Sequence, residues 1–568
     1  RDIPKLILEK NIYGLDIDDR AAQLSGFSLM MMARQDDRRI FSRDVRLNVL
    51  SLQETEHLDL PKLWQDLNLS GDWTSGATQD MFGGDLDLSS FEADNRYQLL
   101  QRNIERFKQA KTFGSLIEVP AAEYEALKEL HDTVLELSES GDSIQRAAAS
   151  QIIDVVHQAL LLSIRYDAVV ANPPYMGSRG MNRDLKDFVN LRFPLSKHDL
   201  YSVMMERSFN ITVDSGYSAM IVMESWMFLS SYLKFREWVL STSSILSMVH
   251  MPYVGKGRTP LGINFGTSAY IMSKQLYSYF IANFSCIRYF EADSFGVPFE
   301  FPCNNERNKL TTSNSFLKIP SKTIAYWVSE TSKSIFEEAV LFENISKPRQ
   351  GYWYEVSYQN CSFRSKNNDE AVLSGKKWFP HSKGGEFRRW YGNNVNVVNW
   401  ENGGEELLSF AKKLYGSPTR TIKNIEHYFK PSVTWSLIGS SDFSARVTEV
   451  GSTFDVAGPS AFPDTADQPV VAAYLNSNTA SYFIKVMNPT MNFNSGDIAR
   501  LPWFEIKTNE KLELTKTILK LINIHRNDWN SSELSFNFER HSLFSYEGSK
   551  LNNLYEQHLS KSKDTINE

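Results

Sequence analysis

Apolar and polar residues alternate over 11–18, with Gly14 inside the run and Asp16, Asp18 and Asp19 closing it. That period of two predicts a short buried strand ending in acids. The Ala-, Leu- and Met-rich stretch 20–34, apolar at every third or fourth position, predicts the helix that follows. A second strand is expected over 45–52. The period then turns helical, most clearly over 121–137 and 143–164, so 55–150 reads as a helical excursion from a sheet. Tyr166-Asp167-Ala168-Val169-Val170-Ala171 reads as a further buried strand. It is stopped at once by Asn172-Pro173-Pro174-Tyr175, because successive prolines cannot donate to a ladder and hold the chain extended. A helix over 200–213, a strand over 217–223, a helix over 229–240 and strands over 245–251 and 267–272 complete an alternation that predicts a parallel, doubly wound sheet. After 275 the pattern becomes one of short aromatic-rich strands and loops, with helices again over 469–486 and from 508. The expected class is α/β, a Rossmann-like sheet over 1–275 with its insertion at about 55–150. A connecting stretch at 276–340, a mixed α+β domain at 341–505 and a helical segment at 506–568 follow.

Composition changes this picture in two places. With 568 residues the chain is too long for one hydrophobic core, which agrees with two large domains. The formal charge of −7 hides opposite local balances. Residues 55–150 hold 18 Asp+Glu against 8 Lys+Arg, a balance of −10, whereas 347–430 hold 14 Lys+Arg against 8 Asp+Glu, a balance of +6. In the second stretch Lys376, Lys377, Lys383, Arg388 and Arg389 are interleaved with Trp378, Phe379, Phe387, Trp390 and Tyr391 and with Gly384 and Gly385. Cations for phosphates, flat rings and flexible loops are what a nucleic-acid surface needs. Cys286, Cys303 and Cys361 are too few and too scattered for a disulfide framework or a four-ligand zinc site, and no metal is expected. No run approaches the roughly 18 apolar residues that span a bilayer, and no signal peptide opens the chain, so a cytoplasmic protein without a membrane partner is expected. The chain starts at Arg1, and Asp2-Ile3-Pro4-Lys5 is read as running into the first strand without a cap or turn, so a preceding portion is expected to be missing.

The chemistry is carried by Asn172-Pro173-Pro174-Tyr175. In an open α/β sheet ligands bind outside the carboxyl ends of the strands, which is where this quartet falls. The Asn172 side-chain oxygen and the Pro173 carbonyl can both accept hydrogen bonds from one NH2 group, turning its lone pair out of the ring plane, and Tyr175 offers a face for the ring. The two prolines hold that carbonyl still. The arrangement suits preorganised attack of a planar amine on an electrophile without a general base.

Residues 166–177 resemble motif IV of methyltransferases that use S-adenosyl-L-methionine, specifically the adenine-N6 DNA methyltransferases. Residues 11–21 are similar to their motif II, which implies that Asp16 binds the cofactor's ribose hydroxyls and Ile17 packs on its adenine. Residues 45–51 take the place of motif III, and the resemblance puts Asn48 where the family has an acid facing the cofactor's adenine amino group. Residues 216–226 and 232–238 resemble the later strand and helix, and 265–271 the strand after motif VIII. From the loop at 250–262 the resemblance implies a second residue against a flipped base, assigned to Tyr253.

Past the catalytic half, the stretches 377–381, 387–391, 398–402, 433–437, 454–458, 475–477, 488–493 and 496–502 resemble the large methyltransferases of BREX phage-defence systems and type IIG-like enzymes. The likeness then covers most of 1–505. It implies that 341–505 is a target-recognition domain reading double-stranded DNA, with Lys376, Lys377, Lys383, Arg388 and Arg389 on its DNA-binding surface. Other defence proteins and phage-encoded inhibitors are the further partners it implies. A Gly-rich motif I is expected ahead of residue 11 and is absent, which agrees with a fragment. Two rival readings are a methyltransferase for glutamine side chains or RNA adenine, and a non-catalytic recognition module of a defence complex. No carboxylate–lysine constellation of a nuclease is present.

Overall fold

The computed structural model of the chain describes residues 2–69, 93–253, 265–293, 297–351, 366, 368–439, 442–546 and 550–567. They fall into two units, Arg1–Glu224 with Ser241–Cys303, and Ser225–Leu240 with Asn304–Glu568.

In the first unit, β1 (Tyr13–Asp16) and β2 (Asn48–Ser51) pair in parallel, Tyr13 opposite Asn48 and Asp16 opposite Ser51. The helix Asp19–Asp36 joins them, and Asp18 caps it by accepting from the Ala21 N–H at 2.9 Å. A helix, Ile3–Lys10, precedes β1. The sequence reading ran this stretch straight into a strand. Pro4 sits in the first turn, where the missing N–H costs nothing because no intrahelical acceptor exists there.

Five more strands of this unit lie side by side in the order β3 (Tyr166–Ala171), β4 (Thr212–Met223), β6 (Thr267–Ser273), β5 (Ser244–Met251), β7 (Ile281–Cys286). β3 is parallel to β4, and β5 to β7, but β6 runs antiparallel to both β4 and β5. The expected all-parallel sheet is therefore mixed. The sequence between β5 and β6 carries Pro252, Gly255, Gly257, Pro260, Gly262 and Gly266 and no amphipathic helical period, and strands joined without a crossover helix pair antiparallel. The sheet also continues past residue 275 into β7. A further expectation fails at β3, read as a buried strand. It hydrogen-bonds to β4 on one side and is an edge, with Val170 78% exposed.

The excursion is a helical subdomain. Helices Leu60–Leu67, Asn95–Arg106, Tyr124–Ser140 and Ser143–Ser163 pack Trp64, Leu100, Leu130, Val134, Ile152 and Val156 into one core. Asp142 and Gln145 form a reciprocal capping box at the start of the last helix. Within it Glu123 pairs with Arg106 through two bonds of 2.5 and 2.9 Å. The buried Arg207, on the helix Leu200–Asn210, donates to the carbonyls of Ser115 and Ile117 at 2.8 and 2.7 Å and so fixes the loop of the excursion to that helix.

The second unit contains β8 (Lys309–Thr312) and the pair β9 (Val340–Leu341) with β17 (Pro502–Trp503). It also holds two small sheets. One has the order β10 (Lys347–Arg349), β16 (Ser460–Phe462), β13 (Ser432–Trp435), β14 (Ala445–Thr448). The other has the order β12 (Asn396–Asn399), β11 (Trp378–Ser382), β15 (Thr453–Phe454). The helix Thr508–Asn530 is part of this core rather than an appendage, since Ile518, Ile522 and Trp529 are buried with Trp435, Phe443 and Phe483. Among the described residues no helix is long and apolar enough to cross a membrane.

Candidate active site

β3 ends at Ala171 and delivers Asn172-Pro173-Pro174-Tyr175 to the carboxyl end of the strand. Pro173 is buried and Asn172 is exposed. The Asn172 side chain makes no hydrogen bond among the described residues, so its amide is available to a ligand. Tyr175 donates to the Ile221 carbonyl of β4 at 3.1 Å, which fixes the ring, and partial burial pushes its phenol above the usual range. Directly after the quartet, Asp199 accepts from the Met176 N–H at 2.9 Å, while the Met176 carbonyl accepts from the Leu200 N–H at 2.9 Å. Asp199 is also the N-cap of the helix Leu200–Asn210, and desolvation raises its pKa. A cap residue thus clamps the motif from downstream.

Two rings meet Tyr175 edge-on: Tyr201 at 6.1 Å and Phe265 at 5.3 Å. Phe265 was not singled out in the sequence. The signal lay in its position at the start of β6, the strand beside β4, but only the antiparallel return of β6 shows that it arrives next to Tyr175. Tyr253, the residue assigned to that place, makes no ring contact among the described residues, and 254–262 of its loop lie outside them. Its N–H donates instead to Glu224 Oε1 at 3.2 Å. Glu224 Oε2 lies 2.7 Å from the buried His250 Nε2, and the Cα of Gly266 packs so tightly on this carboxylate that a Cβ there would stand 2.2 Å from it. A side chain at 266 would require the Glu224 carboxylate to move away from His250.

At the end of β1 the Asp16 carboxylate is exposed and accepts one bond, from the Asp18 N–H to Oδ1 at 2.9 Å. Ile17 is 48% exposed and meets the loop of the excursion at Gly114, whose φ of +56° suits glycine. Lys111 holds the Ile17 carbonyl at 2.9 Å and Asp19 at 2.8 Å. Asp19 also accepts from Ser51 and Gln53, and these bonds, with Lys111 first, hold its carboxyl far below the usual range. Asp19 is therefore committed to protein partners and Asp16 is not.

Asn48 requires a correction. In the parallel register Asn48 stands opposite Tyr13, and the residue level with Asp16 is Ser51. Asn48 is thus three residues down the strand, about 10 Å at roughly 3.3 Å per residue, and its amide donates to the Glu9 carbonyl at 2.7 Å. The polar groups at the carboxyl end of β2 are Ser51 and Gln53.

Residues 10–257 match the family model described as Eco57I restriction-modification methylase. Over 566 residues the chain is 38% identical to "Adenine-specific methyltransferase BrxX" of Escherichia coli O9:H4 (strain HS), an alignment that takes in 96% of this chain and 44% of BrxX. The chain is a homologue of BrxX. It is also 32% identical over 581 residues to "Adenine-specific methyltransferase PglX" of Lacticaseibacillus casei (strain Zhang), covering 98% of this chain and 45% of PglX. It spans a little under half the length of BrxX and PglX. Among solved structures, the type IIL restriction-modification enzyme MmeI in complex with DNA aligns with 90% of this chain and 74% of its own, at 11% identity and a TM-score of 0.40.

The BrxX and PglX alignments extend through the second unit, where the basic residues read from the sequence have unequal surroundings. Lys376 and Lys377 are exposed, but Lys377 faces Glu401 at 3.5 Å and lies 5.9 Å from the Trp378 ring. Arg388 is held by Asp528 at 3.0 Å and stacks on Trp529 at 4.8 Å. Arg389 stands over Phe387 at 5.5 Å, and Lys383 is half-buried and engaged by other protein groups. Four of the five, all but Lys376, are therefore engaged by other groups of the protein. No group of three or more metal-capable side chains occurs among the described residues.

Proposed function

We propose that the full-length protein is a site-specific DNA methyltransferase that transfers a methyl group from S-adenosyl-L-methionine to the N6 amine of an adenine. The observation that carries this reading is the unpartnered Asn172 amide beside the buried Pro173, in a motif fixed on one side by Tyr175 bonded to β4 and on the other by Asp199. The target base must leave the duplex, because its amine cannot be approached inside the stack. Asn172 Oδ1 and the Pro173 carbonyl then accept the two amine hydrogens and orient the nitrogen lone pair. Tyr175 supplies the face on which the base stacks, and Phe265 closes that wall. The end of β1 fits the nucleoside part of the cofactor, since Asp16 keeps one oxygen free for sugar hydroxyls and Ile17 presents apolar surface to a ring. The cofactor supplies a methyl group on a positively charged sulfur. Ser51 and Gln53 take the role first assigned to Asn48.

Residues 341–505 act in this reading as the target-recognition domain for double-stranded DNA. The homology to BrxX and PglX supports a place in a cytoplasmic BREX-type phage-defence system, with other defence proteins and phage inhibitors as its further partners. Offering the full-length protein labelled S-adenosyl-L-methionine with duplex DNA, RNA and glutamine-containing peptide tests the acceptor class. Label is expected in duplex DNA, and transfer to RNA or peptide alone would overturn the reading.

A further inference from the structure

The two ends of the basic stretch 347–430 are far apart in the chain and meet in the fold. Lys347 and Arg349 alternate along β10, which pairs antiparallel with β16 so that Lys347 lies opposite Phe462. The turn at Ile425–His427 is brought to the same place by Asn424, which adopts a φ of +57° and donates its side-chain amide to the Gln350 carbonyl at 2.8 Å. His427 then stacks flat on Phe462, with ring centres 4.8 Å apart and 15° between planes. Phe429, with a φ of +68°, turns the chain outward, and the exposed Lys430 follows it. Burial lowers the pKa of His427, the neighbouring Glu426, whose Oε1 lies 3.9 Å from Nε2, raises it, and the charges of Lys430, Arg349 and Lys347 lower it.

These cations differ from the ones read from the sequence. Among the described residues Lys347, Arg349 and Lys430 have no carboxylate partner, whereas Lys377 and Arg388 each face one. An unpaired surface cation can bind phosphate without giving up an existing ion pair, and each phosphate it neutralises releases a condensed counterion. We propose that Lys347, Arg349 and Lys430, arranged about the His427–Phe462 stack, form a contact surface for the sugar–phosphate backbone of duplex DNA. This rests on the DNA-directed reading given above. The surface positions the duplex and carries no base readout of its own, since phosphate contacts fix register without specifying sequence.

The test is the salt dependence of duplex binding by the full-length protein, followed by fluorescence anisotropy. The triple variant Lys347→Ala, Arg349→Ala, Lys430→Ala is compared with wild type and with a control, Lys62→Ala, Lys128→Ala, Arg146→Ala, that removes three exposed cations from the helical excursion. Each lost phosphate contact lowers the slope of log K against log salt by about 0.9, so a fall of roughly 2–3 is expected in the triple variant and none in the control. The variant Lys347→Arg, Lys430→Arg keeps both charges and should keep the wild-type slope. A triple variant with the wild-type slope, or a charge-conserving variant that loses it, would overturn the surface and leave the DNA-directed reading standing. A wild-type protein that binds no duplex would overturn both.

Discussion

Asn172→Ala should lower adenine methylation by the full-length protein by about 10²–10³-fold, the loss seen when one preorganised polar group facing the reacting atoms is removed. The side chain is exposed, makes no hydrogen bond among the described residues and carries none of the packing of the sheet, so the fold and its thermal stability should be unchanged. Binding of S-adenosyl-L-methionine should also be unchanged, because Asp16 and Ile17 lie on a different strand from Asn172. The loss is expected in kcat more than in KM, since Tyr175 and the DNA-binding surface remain. Single-turnover methylation of a duplex substrate measures it. A variant as active as wild type would remove Asn172 from the mechanism.

Trp435→Ala should be the most damaging single truncation in the second unit. Trp435 lies on β13, between β16 and β14, is fully buried, and donates its indole N–H to the Phe493 carbonyl at 2.9 Å. It packs with Phe443, Ile484 and Ile518 in the same core. Truncating a buried tryptophan costs about 3–5 kcal/mol through lost apolar contact and the cavity left behind. Leaving the Phe493 carbonyl without its donor adds to that loss. Thermal denaturation of the full-length protein should show a transition moved to lower temperature, and duplex affinity should fall while S-adenosyl-L-methionine affinity is kept. Loss of cofactor affinity with unchanged duplex binding would contradict the assignment of the second unit to DNA.

The parts of the site legible in the sequence were those written in consecutive residues. An apolar run cut by two prolines placed Asn172 at a strand end, and the aspartates before an amphipathic run offered Asp18 or Asp19 as the cap, which the structure gives to Asp18, leaving Asp16 free. What depended on pairing was not legible. The Gly- and Pro-rich connection before β6 hints at an antiparallel return but does not tell which ring that return brings to Tyr175, so Phe265 was passed over in favour of Tyr253. Asn48 was placed by its position in a motif, but only the register with β1 tells which end of the strand it occupies. Edge position likewise follows from which neighbours a strand finds, so the apolar pattern of β3 suggested burial that the structure does not give it. The charge count found the basic stretch, and the pairing of Arg388 with Asp528 across 140 positions shows why counting could not tell engaged cations from available ones.

The central claim is that Asn172 and Pro173 present an adenine amine for methylation. Enzymatic digestion of duplex DNA after reaction with the full-length protein and labelled S-adenosyl-L-methionine, followed by mass spectrometry of the nucleosides, tests it most directly. All of the transferred label is expected in N6-methyladenine. Label on a cytosine, or none in the DNA, would contradict it.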